Sequence, residues 1–358
     1  MAPTRHERLR AGLDALGCSS AVLVGAAHTT CFAGYTRYLG GLSAVVVDEE
    51  SRRTLVVPRY ELEAAEESSG ADDVVPYGPP GFLDFDPVPK LVAACLARVS
   101  PGRVGLAGEA GAFRDAVQDS LAVDELVRDI RLVKDADETA LIARSYGLAL
   151  AAQREVERLA GAGASEIELC SAALACAQNA AGSPVELISV VASGPGTASV
   201  SSPVYVPGTR RVGPGEPVLA DLAVRCDGYW GDTTRTTIRG SNAEVEEARD
   251  AIAAIGRALA PLLRPGVRAS EVFAEASSAI LSRFPGGTFS HHAGHGIGVA
   301  VAEDPQLIPT EERALEAGMA LALEPGVYFP GRFGVRVEDM VVVTPAGGRL
   351  LGDEAPAG

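Results

Sequence analysis

The stretch PVLADLAVRCDGYWGDTTRT, residues 217–236, decides the fold of this chain. Its apolar and aromatic residues predict two strands, near 217–225 and 229–238. An aspartate interrupts each strand, Asp221 in the first and Asp232 in the second. A carboxylate inside a buried strand is costly unless it is paired or bound to a cation. The two strands therefore predict a domain built around buried acidic groups.

Three later strings repeat this pattern. His295 lies in HHAGHGIG, Glu324 in ALEPGVY and Glu338 in GVRVED, and apolar residues flank both glutamates. Buried acids in several strands of one domain would repel each other without a cation. Four carboxylates and one imidazole suit a pair of first-row divalent metals, because carboxylates can bridge two ions and share the charge. We therefore expect two divalent ions, with manganese, iron, cobalt and zinc all open as their identity.

These strings, in this order, resemble those of the pita-bread metallopeptidase family. That family includes methionine aminopeptidase, Xaa-Pro aminopeptidase, prolidase and creatinase. Residues 1–130 also resemble the N-terminal domain of the creatinase and Xaa-Pro aminopeptidase branch. The resemblance implies an α/β (α+β) protein of two domains, with a creatinase-like α/β domain at 1–130 and a pita-bread metal-binding catalytic domain at 131–358.

The resemblance also implies a role for each of the five residues. The implied ligand set is Asp221 on one ion, Asp232 and Glu338 bridging both ions, and His295 and Glu324 completing the other. Glu324 is also the implied proton shuttle, because a carboxylate beside the metals can take up and return a proton. His291 matches a histidine that the Xaa-Pro aminopeptidase branch places beside the substrate. Glu324 and His291 are therefore the predicted catalytic residues, whereas His292 has no counterpart that assigns it a role.

Three further residues are expected to support the ligands through hydrogen bonds. Arg336 lies two residues before Glu338 in the same predicted strand, so both side chains project to one face and the guanidinium can orient a ligand carboxylate. Thr234 and Arg235 are expected to do the same for Asp232. A surface ion pair is the open alternative for Thr234 and Arg235.

Two positions depart from the family pattern. Active peptidases of the family carry a histidine seven residues after the metal-binding one, where this chain has Ala302. They carry another upstream, after a Ser-Gly pair, where this chain has Ser201 or one of its neighbours. No histidine occurs between His28 and His291, so a shifted alignment cannot supply the second one. We therefore expect weak cleavage of Xaa-Pro peptides and a metal centre that acts on another small substrate.

Three functions remain open on these residues. The first is a dinuclear metallohydrolase of the Xaa-Pro aminopeptidase and creatinase type, acting on a short peptide or another small C–N-bonded molecule. The second is a repurposed metal-dependent lyase or oxidative enzyme on a small molecule. The third is a non-catalytic binding module of the same fold. Retention of all five ligand residues favours an enzyme, because pseudo-enzymes of this fold usually lose them.

The composition limits the partners. The chain has 358 residues and a formal net charge of −16. Nucleic acid and anionic membrane both require a basic surface, so we expect neither as a partner. No apolar run approaches the ~20 residues that span a bilayer and no signal-peptide pattern is present, so we expect a cytoplasmic protein. The resemblance implies a homodimer.

The remaining elements follow from periodicity and capping signals. Predicted helices cover 7–17, 60–68, 90–99, 137–161, 166–180, 241–263 and 269–284, and predicted strands cover 21–24, 43–47, 54–57, 104–106, 187–192, 288–301, 319–328 and 335–344. Asp135 with Glu138 and Ser165 with Glu168 have the spacing of a capping box. The six cysteines form no C-x-x-C pair, which favours reduced, buried thiols over disulfides.

Overall fold

The computed structural model describes residues 3–36, 41–80, 84, 86–199 and 205–352. The chain divides into two compact units, Met1–Arg131 and Leu132–Gly358. The first unit contains, in chain order, α1 (Arg5–Ala15), β1 (Cys18–Val24), α2 (Ala26–Ala33), β2 (Ala44–Val47), β3 (Arg53–Pro58), α3 (Leu62–Ser68), β4 (Asp73–Tyr77), α4 (Pro87–Leu96), β5 (Arg103–Gly108), α5 (Gly111–Ala116), β6 (Ser120–Ala122) and α6 (Asp124–Leu132).

One mixed sheet organises the first unit. Its strand order is β4-β3-β2-β1-β5-β6. The β1–β2 and β2–β3 pairs are antiparallel, and the other pairs are parallel. Val22, Val46, Val56 and Leu106 of the central strands pack in one apolar core with Phe113. The β-branched residues fit this pleated, doubly covered surface well.

The second unit contains three sheets and four long helices in its described part. The elements are α7 (Ala136–Gly161), α8 (Glu166–Ala181), β7 (Glu186–Ser193), β8 (Pro217–Cys226), β9 (Tyr229–Ile238), α9 (Ala243–Leu259), α10 (Ala269–Arg283), β10 (Gly294–Gly296), β11 (Glu303–Gln306), β12 (Ala320–Leu323), β13 (Gly326–Phe329), β14 (Phe333–Arg336), β15 (Asp339–Thr344) and β16 (Gly347–Leu350). The sheets have the orders β7-β8-β9, β11-β10-β12-β15-β16 and β13-β14. Helices α7 and α8 share one apolar core with β7 and β8.

Helix starts in the second unit follow local capping chemistry. Asp135 and Glu138 form a reciprocal capping box at α7, and Ser165 and Glu168 form another at α8. The predicted start of α9 at Ser241 is wrong by two residues, because the helix begins at Ala243. The side chain of Asn242 caps that helix by accepting a hydrogen bond from the Val245 backbone.

Two predicted strands near the C-terminus are each divided in two. The prediction of one strand over 319–328 is wrong, because β12 ends at Leu323 and β13 begins at Gly326 in a different sheet. Pro325 lies in the break and has no N–H to donate to a continuing ladder. The predicted strand over 335–344 is likewise divided at Val337 and Glu338. Both breaks place a glutamate between two sheets rather than within one.

The predicted strand over 288–301 is reduced to the three residues of β10. Its glycines allow very close backbone approach on both sides. A Cβ added to Gly294 would lie 2.1 Å from the Ala322 carbonyl oxygen, and one added to Gly296 would lie 2.2 Å from the Asp304 carbonyl oxygen. The Gly-His-Gly sequence therefore lets this strand fit tightly between its neighbours β11 and β12.

A buried ion pair fixes the segment 297–302 between β10 and β11. Nζ of Lys134 lies 3.2 Å from Oε2 of Glu303, and both side chains are buried. Oε1 of Glu303 accepts a hydrogen bond from the Ala300 backbone at 3.0 Å. The Trp230 N–H donates to the Gly298 carbonyl at 2.8 Å. The segment is thus held at Gly298 and Ala300, and at its end by the buried Glu303.

Candidate metal centre

Two of the five predicted ligands lie on adjacent strands, β8 and β9. Asp221 pairs with Thr234, and Ala223 pairs with Asp232. Side chains alternate along a strand, so Asp221, Thr234 and Asp232 project from the same face. The two aspartates are therefore diagonal neighbours across the pair of strands, which brings both carboxylates to one side of the sheet.

The other three ligands come from β10 and from the ends of β12 and β15. Strand β10, which carries His295, pairs with β12. The ladder between β12 and β15 ends at the pair Leu323–Asp339. Glu324 follows β12 and Glu338 precedes β15, so the two glutamates face each other one step beyond the ladder. The breaks in the predicted strands thus deliver both carboxylates to the site.

Hydrogen bonds join Glu338 to strand β9. The Glu338 N–H donates to the Thr234 carbonyl at 3.0 Å. The Thr234 hydroxyl donates to Oε2 of the Glu338 side chain at 2.7 Å, and the Thr233 hydroxyl donates to the Glu338 carbonyl at 3.1 Å. The carboxylate is therefore held in one orientation, beside the aspartates of the neighbouring sheet.

The five side chains converge on one cluster. Nε2 of His295 lies 3.9 Å from Oδ2 of Asp232 and 3.6 Å from Oε1 of Glu324. Asp232, His295 and Glu338 each offer a ligand atom within 4.8 Å of the others. Nδ1 of His295 lies 2.8 Å from the Gly296 carbonyl. A carbonyl can only accept, so Nδ1 carries the hydrogen and the Nε2 lone pair is left for a metal ion.

The electrostatics of the cluster fit a divalent cation. Burial, together with the charges of Asp221 and Glu324, raises the pKa of Asp232 well above its ordinary value. Burial and the charge of Asp232 likewise raise the pKa of Glu338. Oδ1 of Asp232 is buried and accepts no hydrogen bond from the described residues. An unpartnered carboxylate oxygen among mutually repelling acids is the arrangement that metal ions relieve.

Glu324 differs from the other carboxylates. Its burial alone would raise its pKa, but the neighbouring His292 and Arg336 outweigh that effect and lower the pKa to about 2. Nδ1 of His292 lies 3.0 Å from Oε1 of Glu324, and Nε of Arg336 lies 3.8 Å from Oε2. Glu324 is therefore charged at neutral pH without help from a metal.

The sequence matches two family models, and both agree with the fold and site described here. The family model for metallopeptidase family M24 matches residues 140–345, and the model for the creatinase/prolidase N-terminal domain matches residues 5–133. The first match covers more than half of the chain. The chain belongs to metallopeptidase family M24. The α/β prediction with a creatinase-type N-terminal domain and a pita-bread C-terminal domain is confirmed, and the family implies divalent metal ions at this site.

Relatives in the family are peptidases by name. A probable dipeptidase PepE from Mycobacterium tuberculosis is 29% identical over 313 residues, which cover 86% of this chain and 82% of the relative. A Xaa-Pro dipeptidase from Pyrococcus furiosus is 28% identical over 323 residues, with 88% of each chain covered. The solved structure of prolidase from Pyrococcus furiosus aligns with a TM-score of 0.77 at 26% identity, covering 97% of this chain and 99% of that one.

Three support residues contact the ligand residues in this member of family M24. Nη2 of Arg336 donates to Oδ2 of Asp221, and its Nη1 donates to the Tyr328 hydroxyl at 3.3 Å. Nη1 of Arg235 donates to the Glu338 carbonyl at 2.5 Å. Thr234 also contacts Glu338, as described above. The expectation that Thr234 and Arg235 hold Asp232 is therefore wrong in its target, because both residues donate to Glu338 across the junction of the sheets.

Tyr328 and Asp339 also belong to the surroundings of the site, and the sequence did not single them out. The Tyr328 hydroxyl lies between Nη1 of Arg336 and Nε2 of His291, 2.9 Å from the latter. Oδ1 of Asp339 accepts from Nη2 of Arg235 and, at 2.9 Å, from the Tyr146 hydroxyl. Both residues stand in strings that carry predicted ligands, ALEPGVY and GVRVED. Their closeness in sequence to Glu324 and Glu338 is the signal that could have identified them.

His291 lies beside the predicted metal ligands, and both of its ring nitrogens have partners. Its Nδ1 is 3.8 Å from Oε2 of Glu324 and 2.6 Å from the His292 carbonyl. Burial lowers its pKa to about 4, so the ring is neutral at neutral pH. With Nδ1 donating to a carbonyl, Nε2 accepts from the Tyr328 hydroxyl.

The two positions that depart from the family pattern differ in what the structure describes. Ala302 is exposed, on the fixed segment between β10 and β11. Ser201 lies outside the described residues. That these two positions correspond to the family's substrate-side histidines thus stays a prediction from the sequence.

In the described part of the chain, no helix is long and apolar enough to cross a membrane.

Proposed function

We propose that this protein is a two-metal hydrolase of the C–N bond in a short peptide or a similarly small amide, and that it is not an efficient general Xaa-Pro aminopeptidase. The convergence of Asp221, Asp232, His295, Glu324 and Glu338 on one buried cluster carries the proposal. Dipeptidase relatives at 28 to 29% identity support a peptide-like substrate. The predicted loss of a family imidazole at Ala302 supports the limit on Xaa-Pro cleavage.

The proposed ligand set follows the geometry and the family pattern. Asp232 and Glu338 would bridge two ions, Asp221 would complete one, and His295 and Glu324 would complete the other. Two ions held there would supply Lewis acidity toward a substrate carbonyl. Manganese, iron, cobalt and zinc all accept this mixture of carboxylate and imidazole ligands.

The protein's own groups would move the proton and hold the ligands in place. Glu324, ionised and adjacent to the substrate space, would take up a proton from the attacking water and return it to the leaving nitrogen as the C–N bond breaks. Arg336 would fix the Asp221 carboxylate. Tyr328 would join Arg336 to His291, so His291 would act by positioning this network and by lining the substrate space with a neutral ring.

The closest competing activity is elimination at the same centre, and isotope labelling distinguishes it from hydrolysis. The metal-loaded protein would be incubated with dipeptides and small amides in water enriched in ¹⁸O, and the products analysed by mass spectrometry. We expect one labelled oxygen in the new carboxylate and no turnover after chelation. Turnover without label would indicate a lyase, and two bound ions with no turnover on any substrate would indicate a binding module.

A further inference from the structure

Three arginines line a cavity in the second unit, apart from the five predicted metal ligands. The cavity has a volume of about 350 Å³, and its charged lining consists of Arg154, Arg235, Arg249 and Glu157. Pockets for small molecules have volumes of ~300–1,000 Å³. Arginine outnumbers acid three to one in this lining, whereas the whole chain has 31 basic and 47 acidic residues. The cavity therefore concentrates positive charge in an acidic protein.

Strand β9 and helices α7 and α9 bring the three arginines together. Side chains alternate along β9, so Arg235 projects from the face opposite to Asp232. Helix α7 packs on that face, where the Gln153 amide donates to backbone carbonyls of β8 and β9 at 2.8 and 3.0 Å. Arg154 follows Gln153 in α7, and Arg249 comes from α9. The cavity thus lies on the other side of β9 from the predicted metal ligand.

The three guanidinium groups retain hydrogen-bonding capacity for a ligand. Arg154 is exposed and makes no hydrogen bond or ion pair within the described residues. Arg249 pairs at 2.9 Å with Asp250, its neighbour in α9, and the two side chains are 36% and 69% exposed, so this pair contributes little. Nη2 of Arg235 donates to Oδ1 of Asp339 at 2.5 Å. A guanidinium has five N–H donors, so none of the three groups is saturated by these contacts.

We propose that this cavity binds phosphate, as the free ion or as the phosphate group of a small monoester. Three arginines against one glutamate leave two net positive charges in the lining, and a phosphate group carries about −1.5 to −2 at pH 7. Guanidinium groups form paired, charge-assisted hydrogen bonds with phosphate oxygens. The hydroxyl of Thr237, which also lines the cavity, can donate as well. This role does not depend on the proposed hydrolysis.

The test is calorimetric titration with inorganic phosphate and with glycerol 3-phosphate at constant ionic strength. It would compare the wild type with Arg154→Gln, Arg249→Gln and the double variant. Arg257→Gln is the matched control, because Arg257 is an exposed arginine of α9 that has no partner among the described residues and does not line the cavity. Arg235 is left unchanged, since it contacts Glu338. Each protein would be titrated both metal-loaded and after removal of metal by dialysis, because phosphate can also coordinate metal ions.

We expect one saturable phosphate site in the wild type that persists without metal. Each cavity variant should weaken it by about tenfold to a hundredfold, the range for a hydrogen bond to a charged group, whereas Arg257→Gln should leave it unchanged. Tighter binding of glycerol 3-phosphate would identify a monoester as the ligand, and equal or weaker binding would identify free phosphate. Melting temperatures check that these exposed substitutions leave the fold intact.

Four results would each overturn the inference. These are the absence of saturable binding in the wild type, binding that requires metal, an unchanged affinity in the double variant, and an equal loss of affinity in Arg257→Gln. The last result would show that only the overall charge matters. Because turnover is not measured, failure of hydrolysis would count against the proposed function and not against this site.

Discussion

Arg336 donates a hydrogen bond to Asp221, a residue 115 positions earlier in the chain, and so joins the β13–β14 hairpin to the β7–β8–β9 sheet at the candidate metal centre. The Arg336 side chain is 6% exposed. It is also 3.8 Å from Glu324. One buried cation thus partly neutralises the four clustered carboxylates before any metal binds.

Replacing Arg336 should destabilise the metal-free protein. Arg336→Met leaves buried carboxylates without their guanidinium, and breaking a buried pair costs about 3–5 kcal/mol. The free energy of unfolding would be measured by denaturant titration in the presence of a chelator. Arg332→Met is the matched control, because Arg332 lies in the same hairpin but pairs with Glu244 at half-exposed positions. That control should change the free energy of unfolding by no more than about 1 kcal/mol.

The number of ions bound by single variants should distinguish the predicted bridging residues, Asp232 and Glu338, from Asp221, which is predicted to bind one ion. Asp232→Asn and Glu338→Gln should empty both sites, since each removes a carboxylate that would be shared by two ions. Asp221→Asn should empty mainly one site. Elemental analysis after reconstitution should approach two ions per chain in the wild type. Asp227→Asn, in the turn between β8 and β9, is the control and should keep both ions. Equal losses in Asp221→Asn and Asp232→Asn would contradict the bridging assignment.

The stability of the metal-free protein should fall as pH rises above the ordinary range of carboxylates. The pKa values of Asp232 and Glu338 are raised by burial, so the native state binds protons that the unfolded state releases. This contribution to stability is complete below the unfolded pKa values of about 4 and is lost as pH rises through the raised native values. Glu324 contributes to stability in the opposite direction, because its native pKa of about 2 lies below the ordinary value. Its contribution is present above the unfolded pKa and is lost as the pH falls through the native value.

Metal should reverse the pH trend that Asp232 and Glu338 produce. Ions displace protons from these carboxylates, so the metal-induced rise in melting temperature should grow with pH. Melting curves from pH 5 to 8, with chelator and with saturating metal, would test this. Asp232→Asn should lose most of the metal-induced rise. An unchanged wild-type melting temperature under saturating metal would contradict a buried two-metal centre.

Introducing an imidazole at Ala302 should increase hydrolysis of Xaa-Pro dipeptides. Ala302 is exposed on a fixed segment, so a larger side chain can be accommodated there. One added hydrogen-bond donor to the reacting amide is worth up to about 10²–10³ in rate, and the sequence predicts that the second donor is also missing, at Ser201 or one of its neighbours. We expect Ala302→His to gain at least about tenfold in kcat/KM, with Ala302→Leu as the control for bulk. A wild-type rate already within about tenfold of a prolidase would show that these histidines are not required.

Substitutions of His291 and Glu324 should distinguish a residue that positions the site from one that binds metal. His291→Ala should lower turnover while sparing metal content, because its ring contacts Tyr328 and a backbone carbonyl. Glu324→Ala should lower both, since it removes a predicted ligand as well as the proton shuttle. Turnover and elemental content would be measured on the same preparations. Loss of metal from His291→Ala would instead identify His291 as a ligand.

The sequence was most informative where a charged residue interrupts an apolar strand. Strand β9 has the predicted bounds, and β8 extends one residue beyond its prediction. The predictions were wrong near Glu324 and Glu338, where apolar residues continue past the end of a strand and conceal a change of sheet. Pro325 was the visible sign of the first break, and no comparable residue marks the second.

Other elements of the fold carry little signal in their residues. Helix α2 is buried over most of its length, so it has no polar face and no helical periodicity to recognise. The contacts of Arg235 and Thr234 with Glu338 depend on how two sheets meet, and this pairing cannot be read from either strand alone. Residue types near the ligands could be predicted, but not which ligand each one holds.

The buried contact between Lys134 and Glu303 has a consequence for natural variation. It sets the shape of the segment that carries Ala302 without using Ala302 itself. If position 302 faces the substrate, as the family pattern predicts, substitution there would alter what a bound substrate contacts while the scaffold stays the same. Substrate preference would then change at this position without a change of fold or melting temperature.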